Sequence, residues 1–236
     1  MASTRFPGKP LFDIAGKPMV VRSAERAMAA RCFSRVVVAT EDREIVDACD
    51  AHGLESILTP VFPTGTDRVA WAARSLDAEF VLNLQGDEPV FPLDLLRDLA
   101  SLVPTDPGAL WTAADLALTD SDIADPDVVK ILVGTGDPSD ALDFHRILPS
   151  PAPAGIPAIH VGVYGGSTEA LTRFSDWPQT LLEAERRIEP LRALAHGMPV
   201  RARTGRWARA AVDRREHIST VLDLMEGERN VCREQT

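Results

Sequence analysis

Lysine is nearly absent from this chain. Of its 25 basic residues all but Lys9, Lys17 and Lys130 are arginine. Where arginine is the default cation, a lysine marks a position that wants a compact point charge instead of a planar fork. Cysteine is also scarce: Cys32, Cys49 and Cys232 are odd in number and far apart. That excludes a disulfide framework and any metal-ligand spacing, and it predicts a reducing, cytoplasmic setting. No apolar run reaches the roughly 18 residues that a membrane helix needs. The first residues lack a basic segment followed by an apolar stretch, so no signal peptide is expected. Positive charge is in deficit, with a net charge of −10, which argues against a nucleic-acid surface. Aromatics are few, yet a hydrophobic content of 45% suffices for an ordinary soluble core.

Strand and helix patterns alternate along the first half. Residues 18–31 read as a helix with Pro18 at its start. Residues 35–39 (RVVVA) read as a strand, 43–52 as a helix stopped by Gly53, and 54–58 as a weak strand. A helix over 66–76, a strand over 80–84 and a helix over 93–103 follow. This alternation predicts an α/β, Rossmann-like, mostly parallel sheet with helices on both faces. Beyond Pro104 the pattern changes to a hairpin over 125–145, a proline-rich loop "PSPAPAGIP", and a strand over 159–164. Residues 180–196 read as one helix, with Thr180 and Glu183 as its capping box and Gly197 as its stop. A strand over 199–204 and a helix over 216–225 complete the chain. The whole reads as a single domain, 1–236, with an antiparallel insertion at about 105–165.

Ligands of open α/β sheets sit beyond the carboxyl ends of the strands, and three loops there carry chemistry. In "STRFPGKP", Ser3, Thr4 and Gly8 can turn N–H groups toward an anion while Arg5 and Lys9 add charge for a polyphosphate. By itself the stretch reads more readily as a disordered basic terminus. In "LNLQGDEP", Asp87 just past a strand suits Mg²⁺ bridging nucleotide phosphates, or an ordinary turn. In "AAVDRRE", Asp213 is either a second carboxylate for the same metal or a helix N-cap.

Taken in order, these stretches resemble the CMP-Kdo synthetase family, the cytidylyltransferases that activate 3-deoxy-manno-octulosonate. "ASTRFPGKPLFDIAGKPM" and "FVLNLQGDEP" match its most specific motifs. "GTDR", "DPDVVKIL", "HVGVYG", "IEPLR" and "VD" follow in the expected places. The resemblance implies a fold like the nucleotide-diphospho-sugar transferases and Mg²⁺-dependent transfer of CMP from CTP to an acidic acceptor, with pyrophosphate leaving. It implies a catalytic set of Lys9, Arg5 and Asp87, and Asp87 with Asp213 as metal ligands. The nucleotide set is Ser3, Thr4, Gly8, Thr40, Glu41, Gly65, Arg68 and Gln85. The acceptor set is Arg146, His160, Tyr164, Arg186 and Glu189. It also implies a homodimer made through the 105–165 segment, with no nucleic-acid or membrane partner.

Family members begin with a buried strand reading roughly "VIIPAR", and Met1 falls just after it. The first strand is therefore expected to be missing and Met1 to be an internal methionine taken as the start. Departures cluster on the acceptor side: His145 for serine, Gly166 for an aromatic, Arg186 for glutamate and Pro190 for glutamine. On the nucleotide side Glu41 replaces aspartate. Pro190 inside a helix costs about 3 kcal/mol and kinks it. These changes favour a small acidic acceptor, a phosphonate such as phosphonoformate or a carboxylate. Octulosonate itself and a catalytically silent nucleotide-binding homologue are the alternatives.

Overall fold

The computed structural model describes residues 6–151, 153–207, 211–212 and 215–234. After a 3₁₀ turn at Lys9–Leu11 come β1 (Asp13–Ile14), β2 (Lys17–Pro18), α1 (Met19–Ala29), β3 (Val38–Thr40), α2 (Arg43–Ala51) and β4 (Ser56–Leu58). Next are α3 (Gly65–Ser75), β5 (Phe80–Leu84), α4 (Leu93–Leu102), β6 (Leu110–Asp115), α5 (Asp120–Ala124), β7 (Lys130–Val133) and β8 (Ser139–His145). The chain ends with β9 (Ile156–Ser167), α6 (Thr168–Asp176), α7 (Leu181–Arg186), α8 (Pro190–Ala195), β10 (Val200–Gly205) and α9 (His217–Glu234). No helix among the described residues is long and apolar enough to cross a membrane.

These elements fall into two compact units. The first takes Met1–Val61, Leu84–Arg97 and Ala208–Thr236. Its β1 and β2 form a short antiparallel hairpin, and β3 and β4 pair in parallel around α2. Helix α1 places Val20 and Val21 against Ile45 and Cys49 of α2. Met19 instead joins Phe6, Ile14, Val90, Val212 and Val221 in a second cluster, which gathers all three chain segments. Burial of this apolar surface, at about 25 cal/mol per Å², is what holds such distant stretches together.

The second unit takes Phe62–Asn83 and Asp98–Trp207. Its six-stranded sheet runs β5-β9-β6-β10-β8-β7, and β7 also pairs with β9. The long β9 thus serves two partners, with Ile159 opposite both Asp115 of β6 and Lys130 of β7. Five of the strands therefore close into a ring, and β6 and β7 are buried along their whole length. Gly165 lets β9 pass close to its neighbour: a Cβ there would stand 2.4 Å from Leu82 and 2.8 Å from Val103.

The structure corrects the expected sheet, which is mixed and not mostly parallel. β10 runs parallel to β6, but β6 with β9, β7 with β8, β7 with β9 and β8 with β10 are all antiparallel. The cause is connection length: β7 and β8 are joined by a short turn, and a tight turn can join only antiparallel neighbours. The 105–165 segment supplies β6 to β9 of this sheet. The helix expected over 180–196 is also corrected. Arg187 adopts a left-handed conformation (φ 56°) that ends α7, and Pro190 opens α8 at a position where proline is accepted. The expected penalty for an interior proline does not arise.

Candidate active site

In the first unit the loop holding Gly8 and Lys9 is shaped by backbone geometry. Gly8 sits at φ 71°, ψ 12°, a left-handed turn that costs glycine least. The turn is closed by Lys9 N–H to the Phe6 carbonyl (3.2 Å) and Leu11 N–H to the Gly8 carbonyl (3.0 Å). It carries Lys9 inward, where the residue is 9% exposed. Its Nζ donates to the Asp87 carboxylate and, at 2.8 Å, to the Val212 carbonyl. The Val212 N–H in turn donates to the Asp87 carbonyl at 3.0 Å. Three segments far apart in sequence thus meet at one ammonium group.

The Asp87 loop is fixed from both sides. Glu88 N–H donates to the Gln85 carbonyl (3.3 Å), and Ser23 Oγ donates to the Gly86 carbonyl (3.0 Å). Phe6 stacks edge-on with Phe12, and the Arg215 guanidinium lies over both rings, 5.1 and 5.6 Å from their centres. Thr40 ends β3, with its hydroxyl accepting from the Asp42 N–H at 3.1 Å, and Glu41 follows it. Ser3, Thr4, Arg5 and Asp213 lie outside the described residues.

Whether Asp87 fits a metal can be judged from its partner. Its carboxylate is a hard oxygen donor of the kind a hard divalent ion takes; one of its oxygens is engaged by the Lys9 ammonium, which leaves the other as the donor for a metal. Among the described residues no group of three or more His, Cys, Asp or Glu is placed to hold one.

The second unit gathers a different set. Thr64 caps α3, accepting from the Asp67 N–H, so Gly65, Thr66, Asp67 and Arg68 form the first turn of that helix. The Thr66 N–H donates to Glu189 Oε2 at 3.2 Å. Glu189 stands just before α8, and desolvation raises its carboxyl above the ordinary range, with the charge of Asp67 adding to it. Burial holds the Tyr164 phenol well up, and the charge of Glu189 adds to that. The Tyr164 ring lies 5.6 Å from the His160 ring, whose Nε2 is 3.0 Å from Thr112 Oγ1. Glu189, Tyr164 and His160 are thus brought into one neighbourhood, with Thr66 and Thr112 as partners.

The remaining acceptor candidates are engaged elsewhere. Arg146 donates to the carbonyls of Arg186 (2.7 Å), Arg187 (3.3 Å) and Pro126 (3.1 Å), and so caps the end of α7. Arg186 donates to Asp143 Oδ1 (3.0 Å) and to the Phe144 carbonyl (2.6 Å). His145 also faces Asp143, at 2.9 Å. Its imidazole is held down by desolvation, opposed by the Asp143 charge. Two of the departures noted in the sequence, His145 and Arg186, therefore converge on one carboxylate.

Lys130 and Arg192 were not singled out as site residues. Lys130 is fully buried and donates to the carbonyls of Asp125 (2.6 Å), Val128 (2.9 Å) and Arg146. Desolvation lowers its pKa. Its rarity in this composition was the one signal that could have found it. Asp67 was legible as the third residue after a threonine cap.

A family model described as cytidylyltransferase matches residues 1–201. The chain is 41% identical over 205 residues to 3-deoxy-manno-octulosonate cytidylyltransferase of Anaeromyxobacter dehalogenans (strain 2CP-C), covering 84% of this chain and 83% of that one. It is 42% identical over 212 residues to the enzyme of the same name from Bradyrhizobium sp. (strain BTAi1 / ATCC BAA-1182), covering 85% and 83%. Among solved structures it is similar to a CMP:2-keto-3-deoxy-manno-octonic acid synthetase complexed with CTP. That likeness has a TM-score of 0.85 and 33% identity over 96% of this chain and 95% of that one. An apo UDP-glucose pyrophosphorylase shares the fold, with a TM-score of 0.67 at 12% identity over 97% and 96% of the two chains.

Proposed function

The chain belongs to the cytidylyltransferase family, and from that premise we propose that it transfers CMP from CTP to 3-deoxy-manno-octulosonate, releasing pyrophosphate. The observation that carries this reading is the junction of Lys9, Asp87 and Val212. It brings the signature loop, the strand-end carboxylate and the segment leading to Asp213 to one point.

In this reading a hydroxyl oxygen of the acceptor attacks the α-phosphorus in line; its bond to phosphorus forms as the bond to pyrophosphate breaks. The protein forms no covalent bond, and positioning with charge neutralisation does the work. Lys9 and Arg5 balance the charge growing on the leaving pyrophosphate. Asp87 with Asp213 would hold Mg²⁺, which supplies charge neutralisation on phosphate oxygens when bound. Thr40 and Glu41 stand at the end of β3 and Gln85 just after β5, all three from the nucleotide set that the resemblance implies. On the acceptor side Glu189 accepts hydrogen bonds from sugar hydroxyls, and His160 and Tyr164 line the same place.

The small phosphonate acceptor expected from the sequence finds no support. The named relatives are all octulosonate cytidylyltransferases. The Arg186 guanidinium, which argued for a more anionic acceptor, is taken up by Asp143 and the Phe144 carbonyl. Pro190 opens a helix and does not distort one.

Purified protein with CTP, Mg²⁺ and octulosonate should release pyrophosphate and yield the CMP conjugate by mass spectrometry. Release with phosphonoformate but not with octulosonate would reverse the choice of acceptor. The exposed Leu142, Ile147 and Ile156 of the 105–165 segment support the homodimer, for which light scattering should give twice the chain mass.

A further inference from the structure

Arg192 is a charged side chain placed where none is usually found, 1% exposed and stacked on Phe174 at 4.4 Å from the ring centre. Its guanidinium forks in two directions. Nε and Nη2 donate to the two oxygens of Glu183, at 2.9 and 2.6 Å. Nη1 and Nη2 donate to the two oxygens of Asp67, at 2.7 and 3.3 Å. Both carboxylates are themselves buried, at 2% and 3% exposure.

Each carboxylate has the same place in its own helix. Asp67 is the third residue after the cap Thr64 of α3, and Glu183 the third after the cap Thr180 of α7. One guanidinium therefore ties two helix starts to α8, on which it sits. Two contacts between α3 and the α8 region then lie side by side. One is Arg192 with Asp67; the other is the Thr66 N–H on Glu189, three residues before Arg192.

We propose that Arg192 is a positioning residue for the acceptor: its two-way clamp sets the Thr66 amide against Glu189 and so fixes the carboxylate that receives the substrate. This rests on the acceptor reading given above. Arginine is required because only a planar fork meets two carboxylates with paired hydrogen bonds. The clamp leaves the cluster one negative charge in excess, and Glu189 adds another beside it. A shift of α8 would move Glu189, whereas the start of α3, which carries Gly65 and Arg68 of the nucleotide set, keeps its own Thr64 cap, so the effect falls on the acceptor.

The test is a double-mutant cycle with Arg192→Lys and Glu189→Gln, reading KM for octulosonate and for CTP separately. Arg192→Lys keeps the charge and loses the fork. It should raise the acceptor KM about tenfold and leave the CTP KM within about twofold. On the Glu189→Gln background it should change the acceptor KM no further. Asp67→Asn, which weakens one arm of the clamp, should repeat the pattern and serves if the lysine variant does not fold. Equal rises in both KM values, or the same rise with and without Glu189, would overturn the inference while the octulosonate activity stands. A wild-type protein that does not accept octulosonate would overturn both.

Discussion

Lys9 and Asp87 show what a single side chain carries. In this lysine-poor chain the Lys9 ammonium is the point where the signature loop meets the strand-end aspartate. Lys9→Met keeps the length of the side chain and removes the charge. Steady-state kinetics should show kcat lowered by about 10²-fold with the fold intact by circular dichroism. Glu189 has the opposite character, being held out of water at a cost. Its carboxyl is raised in the folded state above the ordinary 4.5, so the folded chain binds its proton more tightly than the unfolded chain. That contribution to stability is complete below about pH 4.5 and is lost as pH rises through the native value. Glu189→Gln has no such loss. Thermal melts should therefore show the variant gaining on the wild type at neutral pH and no gain at pH 4, while its acceptor KM rises. Both residues were legible in the sequence, because each lies in a motif of fixed spacing. Arg192 and Lys130 lie in quoted motifs too, yet their roles were not legible, because their partners lie far along the chain or are backbone carbonyls, which no motif spells out.

The break between α7 and α8 is the clearest lesson among the elements. The Thr180–Glu183 capping box, read from the sequence, is formed as expected. The end of that helix was missed because no glycine marks it: Arg187 takes the left-handed turn that glycine usually supplies. Arg187→Gly should relieve this conformation and stabilise the protein by up to about 1 kcal/mol in urea denaturation. The carbonyl that Arg146 uses at this position is kept in the variant. Most strands were read, but β6, β1 and β2 were not, and strand direction was read poorly. Periodicity reports which residues face the core, whereas direction depends on which strand becomes the neighbour. The "GTGDPS" turn announced the β7–β8 hairpin, but nothing local announced that β9 would pair with both β7 and β6.

Over the whole molecule, the sharpest constraint is that the first unit is assembled from three stretches of chain. Val212 and Val221, near the far end, complete the cluster begun by Phe6 and Ile14. Loop closure over such separations must precede the reward of those contacts, which makes folding slow. Removing residues 208–236 should therefore do more than delete Asp213. The truncated chain should bind the hydrophobic dye ANS and lose its cooperative melt, whereas Asp213→Ala should keep both folded-state properties and lose activity. The single tyrosine of the sequence, Tyr164, lies beside His160 and under the influence of Glu189. Incorporating 3-fluorotyrosine would therefore give the entire protein one fluorine resonance, already located at the place where the sugar acid is expected. Octulosonate should shift that lone signal and CTP alone should leave it nearly still, so the two substrates could be watched arriving separately in an unmutated chain.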